Sequence, residues 1–410
     1  MKLQLGHGNT EQPLEIPDRN LLGVLEPREA KPVQDIAGQL RQCAATAEQF
    51  VEDHGRVLVL VNDYTRATPT NLALAELLPV LSGRDVRFLV CLGTHRPPTG
   101  DELEHVFGPD NLARVRDHIV FHDCHDKSRL FFKGRTTRGT DVWFNRELMW
   151  AECIIAINSV EPHYFAGFTG GRKSFLPGVA AEETIAHNHN LVIEPGSEPM
   201  KLKGNPVHED MNEAARMVIR PVFSLQFVLD RNHDPFSVYY GDLYSTLEAG
   251  ATDSRSVYSV PIKEQADIVV SVLRPPYDIN FYQSQRAVEF ARPALKPGGT
   301  HICVSACHKG VGNDDFIRMF DGCRTADDVL SRSEENRRLG WHKAARLARI
   351  MQSTELCTVV GVPDDYPQRA FMRPFPTVGS ALEHAFNRLG ADATVFVVPD
   401  AAGVVPITAA

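Results

Sequence analysis

The chain has 410 residues, 43% hydrophobic and 23% charged, and carries a formal net charge of −9 at pH 7. That length exceeds what one hydrophobic core usually serves, so two domains are expected. The negative balance argues against general affinity for nucleic acid or an anionic membrane, both of which favour basic surfaces.

No apolar run approaches the roughly 20 residues of a membrane span. The N-terminus, "MKLQLGHGNTEQPLEIP", lacks the apolar centre of a signal peptide, which makes the cytoplasm the simplest location. The eight cysteines are scattered, and Cys303 and Cys307 form CxxxC rather than CxxC. Cys91 and Cys153 lie inside apolar runs, where a thiol acts as a small buried hydrophobe. Neither disulfides nor a cysteine-bound metal is expected.

In chain order, "RVLVLVND" (56–63), "VRFLVCLG" (86–93) and "CIIAINSV" (153–160) predict strands buried on both faces. Between the first two, "TNLALAELLPVLSG" predicts an amphipathic helix closed by Gly83, giving a βαβ unit. A second series starts with "ADIVVSVL" near residue 266, continues through a helix at "QSQRAVEFARPALK", and adds strands at "GGTHICVSAC", "ELCTVVGV" and "ATVFVVPD". The polar, proline-containing "DSRSVYSVPIKEQ" (253–265) reads as a linker. The expected fold is therefore two α/β domains with mainly parallel, helix-covered sheets and an active site in the cleft between them. Their bounds are 1–258 and 259–395, and whether a tail of about 396–410 returns to the first domain is left open by the sequence.

In open α/β sheets ligands bind beyond the carboxyl ends of the strands. Past the first strand stand Asp63, Thr65 and Arg66; past the second, Thr94, His95 and Arg96. Past the third come Glu161 and His163, then a glycine-rich loop with Gly170, Gly171, Arg172 and Lys173. His187 and His189 follow in "ETIAHNHN", as surface residues or as a chelating pair on an extended segment. Asp63 and Thr65 are equally read as helix caps, and His95 or His163 alone as structural residues.

The loop "GFTGGRKS" approaches GxxxxGK[ST] without matching it, because Arg172 separates the last glycine from Lys173. A phosphate cradle is thus out of register. Glycines that let backbone approach a flat or phosphorylated ligand, with Lys173 as its attachment point, fit better.

Four blocks carry a resemblance: "NDYTRATPT", "GTHRPPTGDEL", "EPHYFAGFTGGRKSFLPG" and "DINFYQSQRA", with "WHKAARLARI" as a weaker fifth. Across most of its length the chain resembles the nickel-dependent lactate racemase family of 2-hydroxyacid racemases and epimerases. The resemblance implies a nickel pincer nucleotide (a pyridinium mononucleotide with two thio-acid arms) bound covalently through Lys173 and made by separate accessory proteins. It implies His189 as the protein ligand to nickel, with His187 its neighbour, and His95 and His163 as acid/base pair. It further implies cofactor contacts at Asp63, Thr65, Gly170, Gly171 and Arg172, and substrate contacts at Arg66, Gln283, Arg286 and Trp341. The C2 hydrogen of a 2-hydroxy acid is a poor proton beside a carboxylate, so the implied chemistry removes it as hydride while a histidine takes the hydroxyl proton. Imidazole, titrating near 6.5 when unperturbed, suits that exchange, and an arginine such as Arg66 can hold the carboxylate bidentately.

Two positions depart from the family pattern. Arg286 stands where lysine is usual, and Leu273 and Arg274 where Gly-Gly is frequent. Arginine is a planar fork and lysine a point charge, so a malate-like or sugar-acid substrate is expected, unless Arg286 merely replaces lysine and Arg274 faces solvent. The competing readings are a zinc hydrolase using His95, His163 and His189, and a non-catalytic binder of a phosphorylated ligand.

Overall fold

The computed structural model describes residues 1–8, 10–26, 31–32, 35–275, 277–335 and 340–408. Two compact units emerge, Glu29–Val257 and a second built from Met1–Arg28 together with Tyr258–Ala410.

In Glu29–Val257 the sheet order is Pro235–Gly241, Val222–Leu229, Cys153–Ser159, Arg56–Asn62, Asp85–Cys91, Ile119–Phe121. All neighbours are parallel except the first pair, an antiparallel hairpin. Val57 to Val61 have no exposed surface, which explains the unbroken apolar run. Val57, Val59 and Val61 pack with Leu40, Cys43 and Ala47 of helix Ile36–Val51 and with Leu74 and Leu77 of helix Thr70–Val80. The chain leaves Arg56–Asn62 toward one edge and later returns to its other side at Cys153–Ser159. Strand order reverses there, and the crevice beyond the carboxyl ends of those two strands is where such sheets bind ligands.

The second unit repeats the device. Its wholly parallel sheet runs Arg373–Pro374, Glu355–Val360, Leu295–Ser305, Ala266–Val272, Val395–Val398, Leu21–Val24. The expected α/β class with mainly parallel sheets is observed.

Two boundaries differ from the sequence reading, and the tail, open in the sequence, falls in the second unit. Residues 1–28 belong to the second unit, because Leu21–Val24 pairs with Val395–Val398 and Leu5, Leu14 and Ile16 pack with Ile268, Val270 and Ile302. The C-terminal tail also stays there, Val405–Thr408 pairing in parallel with Ser259–Ile262. The stretch 253–265 is not a free linker: it completes helix Leu243–Tyr258 and supplies that strand. Among the described residues no helix is long and apolar enough to cross a membrane.

Candidate active site

Asp63 follows Arg56–Asn62 and is only 4% exposed. Its Oδ2 lies 2.5 Å from His95 Nδ1, while Oδ1 accepts from Thr65 Oγ1 at 2.7 Å and from the Thr65 amide at 3.2 Å. Burial pushes the Asp63 carboxyl up. The hydrogen bonds from His95 and Thr65 and the nearby Arg66 charge outweigh it and hold the group below its usual range. An ionised carboxylate only accepts, so the neutral His95 ring carries its proton on Nδ1 and presents a lone pair at Nε2. Asp63 and Thr65, expected as cofactor contacts, are thus engaged in fixing His95.

His95 closes a turn by donating its amide to Leu92 O at 2.8 Å, and Gly93 in that turn donates to Gly178 O at 3.0 Å. This second bond ties the His95 turn to the end of the lysine loop. The rest of the block builds a helix start. Arg96 forms a two-pronged bridge to Glu102, both bonds 2.7 Å, and covers the Tyr64 ring, while Thr99 and Glu102 complete a capping box.

A side-chain relay joins the two strand ends. Asn62 Nδ2 donates to Thr68 Oγ1 at 2.7 Å, Thr68 to Ser159 Oγ at 3.0 Å, and Ser159 to Glu161 Oε1 at 2.7 Å. Beyond it His163 is buried, its Nδ1 accepting the Ala166 amide at 3.3 Å. The neutral His163 ring therefore carries its proton on Nε2, the opposite tautomer to His95.

Phe165 is the meeting point. The His163 ring lies edge-on at 4.5 Å, the His189 ring at 5.1 Å and Lys173 Nζ at 5.8 Å from its centroid. Three of the expected site residues thus gather about one aromatic ring.

Within the loop, two assignments change. Arg172 is fully buried and donates to the carbonyls of Ala166 (2.7 Å), Thr169 and Gly170 (both 3.1 Å); burial lowers its pKa to about 9. It braces the loop from behind. Gly170 (φ 81°, ψ 177°) and Gly171 (φ 50°) approach protein rather than ligand: a Cβ on Gly170 would lie 2.5 Å from Gln226 Oε1 and 3.0 Å from Ser159 O. Gly170→Ala is therefore expected to destabilise the chain by about 2–3 kcal/mol, read from its denaturant midpoint. An unchanged midpoint would show the loop to be slack.

"ETIAHNHN" is helical, not extended, within Glu182–Asn190. Residues two apart on a helix point roughly 200° from each other. His187 Nε2 accordingly meets Arg138 O at 3.2 Å while His189 meets Phe165. The two histidines cannot chelate together. Arg66 is half-buried, and its guanidinium has no hydrogen bond or ion pair among the described residues.

The remaining expected residues belong to the other unit. Gln283 opens helix Phe281–Ala291, its amide bonded to the cap Asn280 Oδ1 at 2.9 Å. Arg286, half-buried, lies 4.4 Å over the Tyr277 ring, and its Nε has no hydrogen-bond partner among the described residues. Trp341 begins helix Trp341–Met351. Lys343, which the sequence reading passed over, is buried beside them, 3.7 Å over the Tyr282 ring. Burial and the Arg286 charge push its amine well below the usual range. Arg274 is exposed, its guanidinium against Gly6, and Leu273 is buried in the core.

Among the described residues the one group of three His, Cys, Asp or Glu donors close enough to share an ion is Glu355, Cys357 and His384. None is a histidine named above, and Glu355 already binds His384, Thr300 and Arg388. A zinc centre on His95, His163 and His189 gains no support.

Residues 7–199 match the family model for the lactate racemase N-terminal domain and residues 262–406 that for the lactate racemase C-terminal domain. The chain is 27% identical to a lactate racemase of Thermoanaerobacterium thermosaccharolyticum over 422 residues, covering 98% of each. It is 30% identical to a lactate racemase of Lactiplantibacillus plantarum over 371 residues, 87% of this chain and 86% of that protein. The solved structure of the lactate racemase apoprotein from T. thermosaccharolyticum superposes with a TM-score of 0.90 at 26% identity, covering 99% of this chain and all of that one. A Thermotoga maritima protein of solved structure, 19% identical with a TM-score of 0.70, shares the fold. Two matched domains spanning most of the sequence, in the order and fold of these relatives, make this chain a member of the lactate racemase family.

Proposed function

We propose that this isomerase inverts C2 of a 2-hydroxy acid, with His95 and His163 handling the hydroxyl proton. The observation that carries the reading is the pair of contrasting Nδ1 contacts, His95 to the Asp63 carboxylate and His163 to the Ala166 amide, which favour opposite tautomers of the two neutral rings. In their neutral forms one ring can take a proton at Nε2 and the other carries its hydrogen there.

The residues present fit the family's cofactor. A group tethered to an amine and ligated by an imidazole must span both, and Lys173 and His189 meet at the Phe165 ring. Lys173 would hold the nickel pincer nucleotide covalently and His189 would ligate the metal, and the bound group would supply a reversible hydride acceptor for C2. Accessory proteins would make it, and both they and the chain would work in the cytoplasm.

The chain's own work is then binding and proton transfer. Arg66, whose guanidinium has no hydrogen bond or ion pair among the described residues, holds the substrate carboxylate. His95 Nε2 takes the hydroxyl proton, and Asp63 stabilises the imidazolium that results, so His95 can return the same proton. In the opposite direction His163 must take a proton. Its ring then has to release the Ala166 amide, since an accepting Nδ1 and a basic Nε2 cannot coexist in one neutral ring.

The substrate is more anionic or more hydroxylated than lactate. Arg286 has no carboxylate partner among the described residues. Single enantiomers of lactate and malate, followed polarimetrically on loaded enzyme, test both levels of this reading. Loss of optical activity with neither acid, nor with a sugar acid, would overturn it. Arg286→Lys is expected to lower kcat/KM for malate at least about tenfold relative to lactate, the loss of one fork-to-carboxylate pairing. An unaltered ratio sinks the larger substrate.

A further inference from the structure

We infer that Asp210 is the positioning residue for His189, acting through Asn188; this rests on the reading of His189 as metal ligand. Helix Glu182–Asn190 has nine residues and no side-chain cap at its N-terminus. Its buried positions are Thr184, Ile185 and Asn188, so two of three are polar. Apolar packing is non-directional and leaves a short helix free to roll, whereas hydrogen bonds fix an angle.

Both polar residues are anchored. Thr184 Oγ1 donates to Asp141 O at 2.6 Å and accepts the Trp143 amide at 3.1 Å. One turn on, Asn188 Nδ2 donates to Asp210 Oδ2 at 2.8 Å and to Val207 O at 3.1 Å. Asp210 is in turn held by Thr136 Oγ1 at 2.5 Å and Thr140 Oγ1 at 2.9 Å. Thr140, Asn188 and Asp210 have no exposed surface, and Asp210 forms no ion pair among the described residues. A carboxylate buried with neutral donors alone is costly, and here it joins helix Pro206–Arg216, the 136–140 turn and the histidine helix at one point.

The geometry is demanding. His189 follows Asn188 by about 100° of helical turn, and a roll of 20° moves a group roughly 6 Å from the axis by about 2 Å. A metal–nitrogen bond tolerates about a tenth of that.

The test compares aromatic nuclear Overhauser contacts in the full-length chain without cofactor. In Asp210→Asn the His189–Phe165 contact is expected to weaken at least threefold while the His163–Phe165 contact stays. The double variant Asp210→Asn/Asn188→Asp, which restores a carboxylate–amide pair but loses the bond to Val207 O, is expected to recover it in part. Should Asp210→Asn fail to fold, Asn188→Ala reads the same contact. A His189–Phe165 contact unchanged in whichever single variant folds overturns the proposal. In loaded enzyme nickel is expected to leave Asp210→Asn about tenfold faster, as for lost outer supports of metal ligands. If His189→Ala holds nickel as firmly as the parent, the ligand assignment fails, while the ring contacts still decide the role of Asp210.

Discussion

Lys173→Ala, produced together with the cofactor-synthesis proteins, is expected to show the intact mass of bare polypeptide and turnover below detection, where the parent carries an adduct of nucleotide size. The substitution removes the only part of Lys173 that chemistry needs. The loop backbone has bonds of its own: the Lys173 amide donates to Gly170 O at 3.1 Å, its carbonyl accepts from Gly178 at 3.0 Å, and Arg172 clamps the preceding carbonyls. Circular dichroism and the denaturant midpoint should therefore match the parent. Lys173→Arg is the sharper comparison, since it keeps the positive charge but offers a guanidinium that is a poor nucleophile at neutral pH. An adduct persisting on Lys173→Ala would move the attachment point elsewhere and remove the basis for the cofactor's placement.

The second large effect is expected at Asp63→Asn. The amide matches the carboxylate in shape but can present its NH2 to His95, stabilising the tautomer whose Nε2 carries hydrogen and cannot accept a proton. In the serine-protease case the same exchange costs about 10⁴ in kcat, and a fall of about 10³–10⁴ is expected here with the Lys173 adduct intact. Adding His95→Asn should cost little more, because the two residues act as a unit. A double variant much slower than either single one would separate their roles. The pH arm follows from the sign of the Asp63 shift. Its carboxyl lies below the ordinary range in the folded chain, so the bond's contribution to stability is complete above the unfolded value of about 3.9. That contribution disappears only as pH falls through the lower folded value. Loss of activity on the mildly acid side thus belongs to groups other than Asp63.

Much of this was legible in the sequence for physical reasons. A strand covered on both faces must be apolar throughout, so "VLVLV" and "IIAI" announced a parallel sheet, and polar residues directly behind such strands had to lie at its ligand end. The sequence could not say that Arg172 points inward, since its acceptors are backbone carbonyls present in any loop. Nor could it separate His187 from His189, because the helix that turns them apart is held by hydrogen bonds rather than an apolar stripe. Phe165 left a trace in the aromatic run "HYFAGF". Asp210 left none: its partners Thr136 and Thr140 are 74 and 70 residues away, and nothing local marks an aspartate that closes such a distance. The strand Leu21–Val24 escaped for the same reason, its partner lying at the opposite end of the chain.

That strand has a consequence for synthesis. A ribosome releases the Arg56–Gly241 sheet complete while the remainder is still being translated, whereas Leu21–Val24 must wait, extended, until Val395–Val398 emerges. A fragment beginning at Tyr258 would leave Val395–Val398 as a bare apolar border, ready to recruit a strand from another molecule. Supplying residues 1–28 as a separate peptide should restore its solubility.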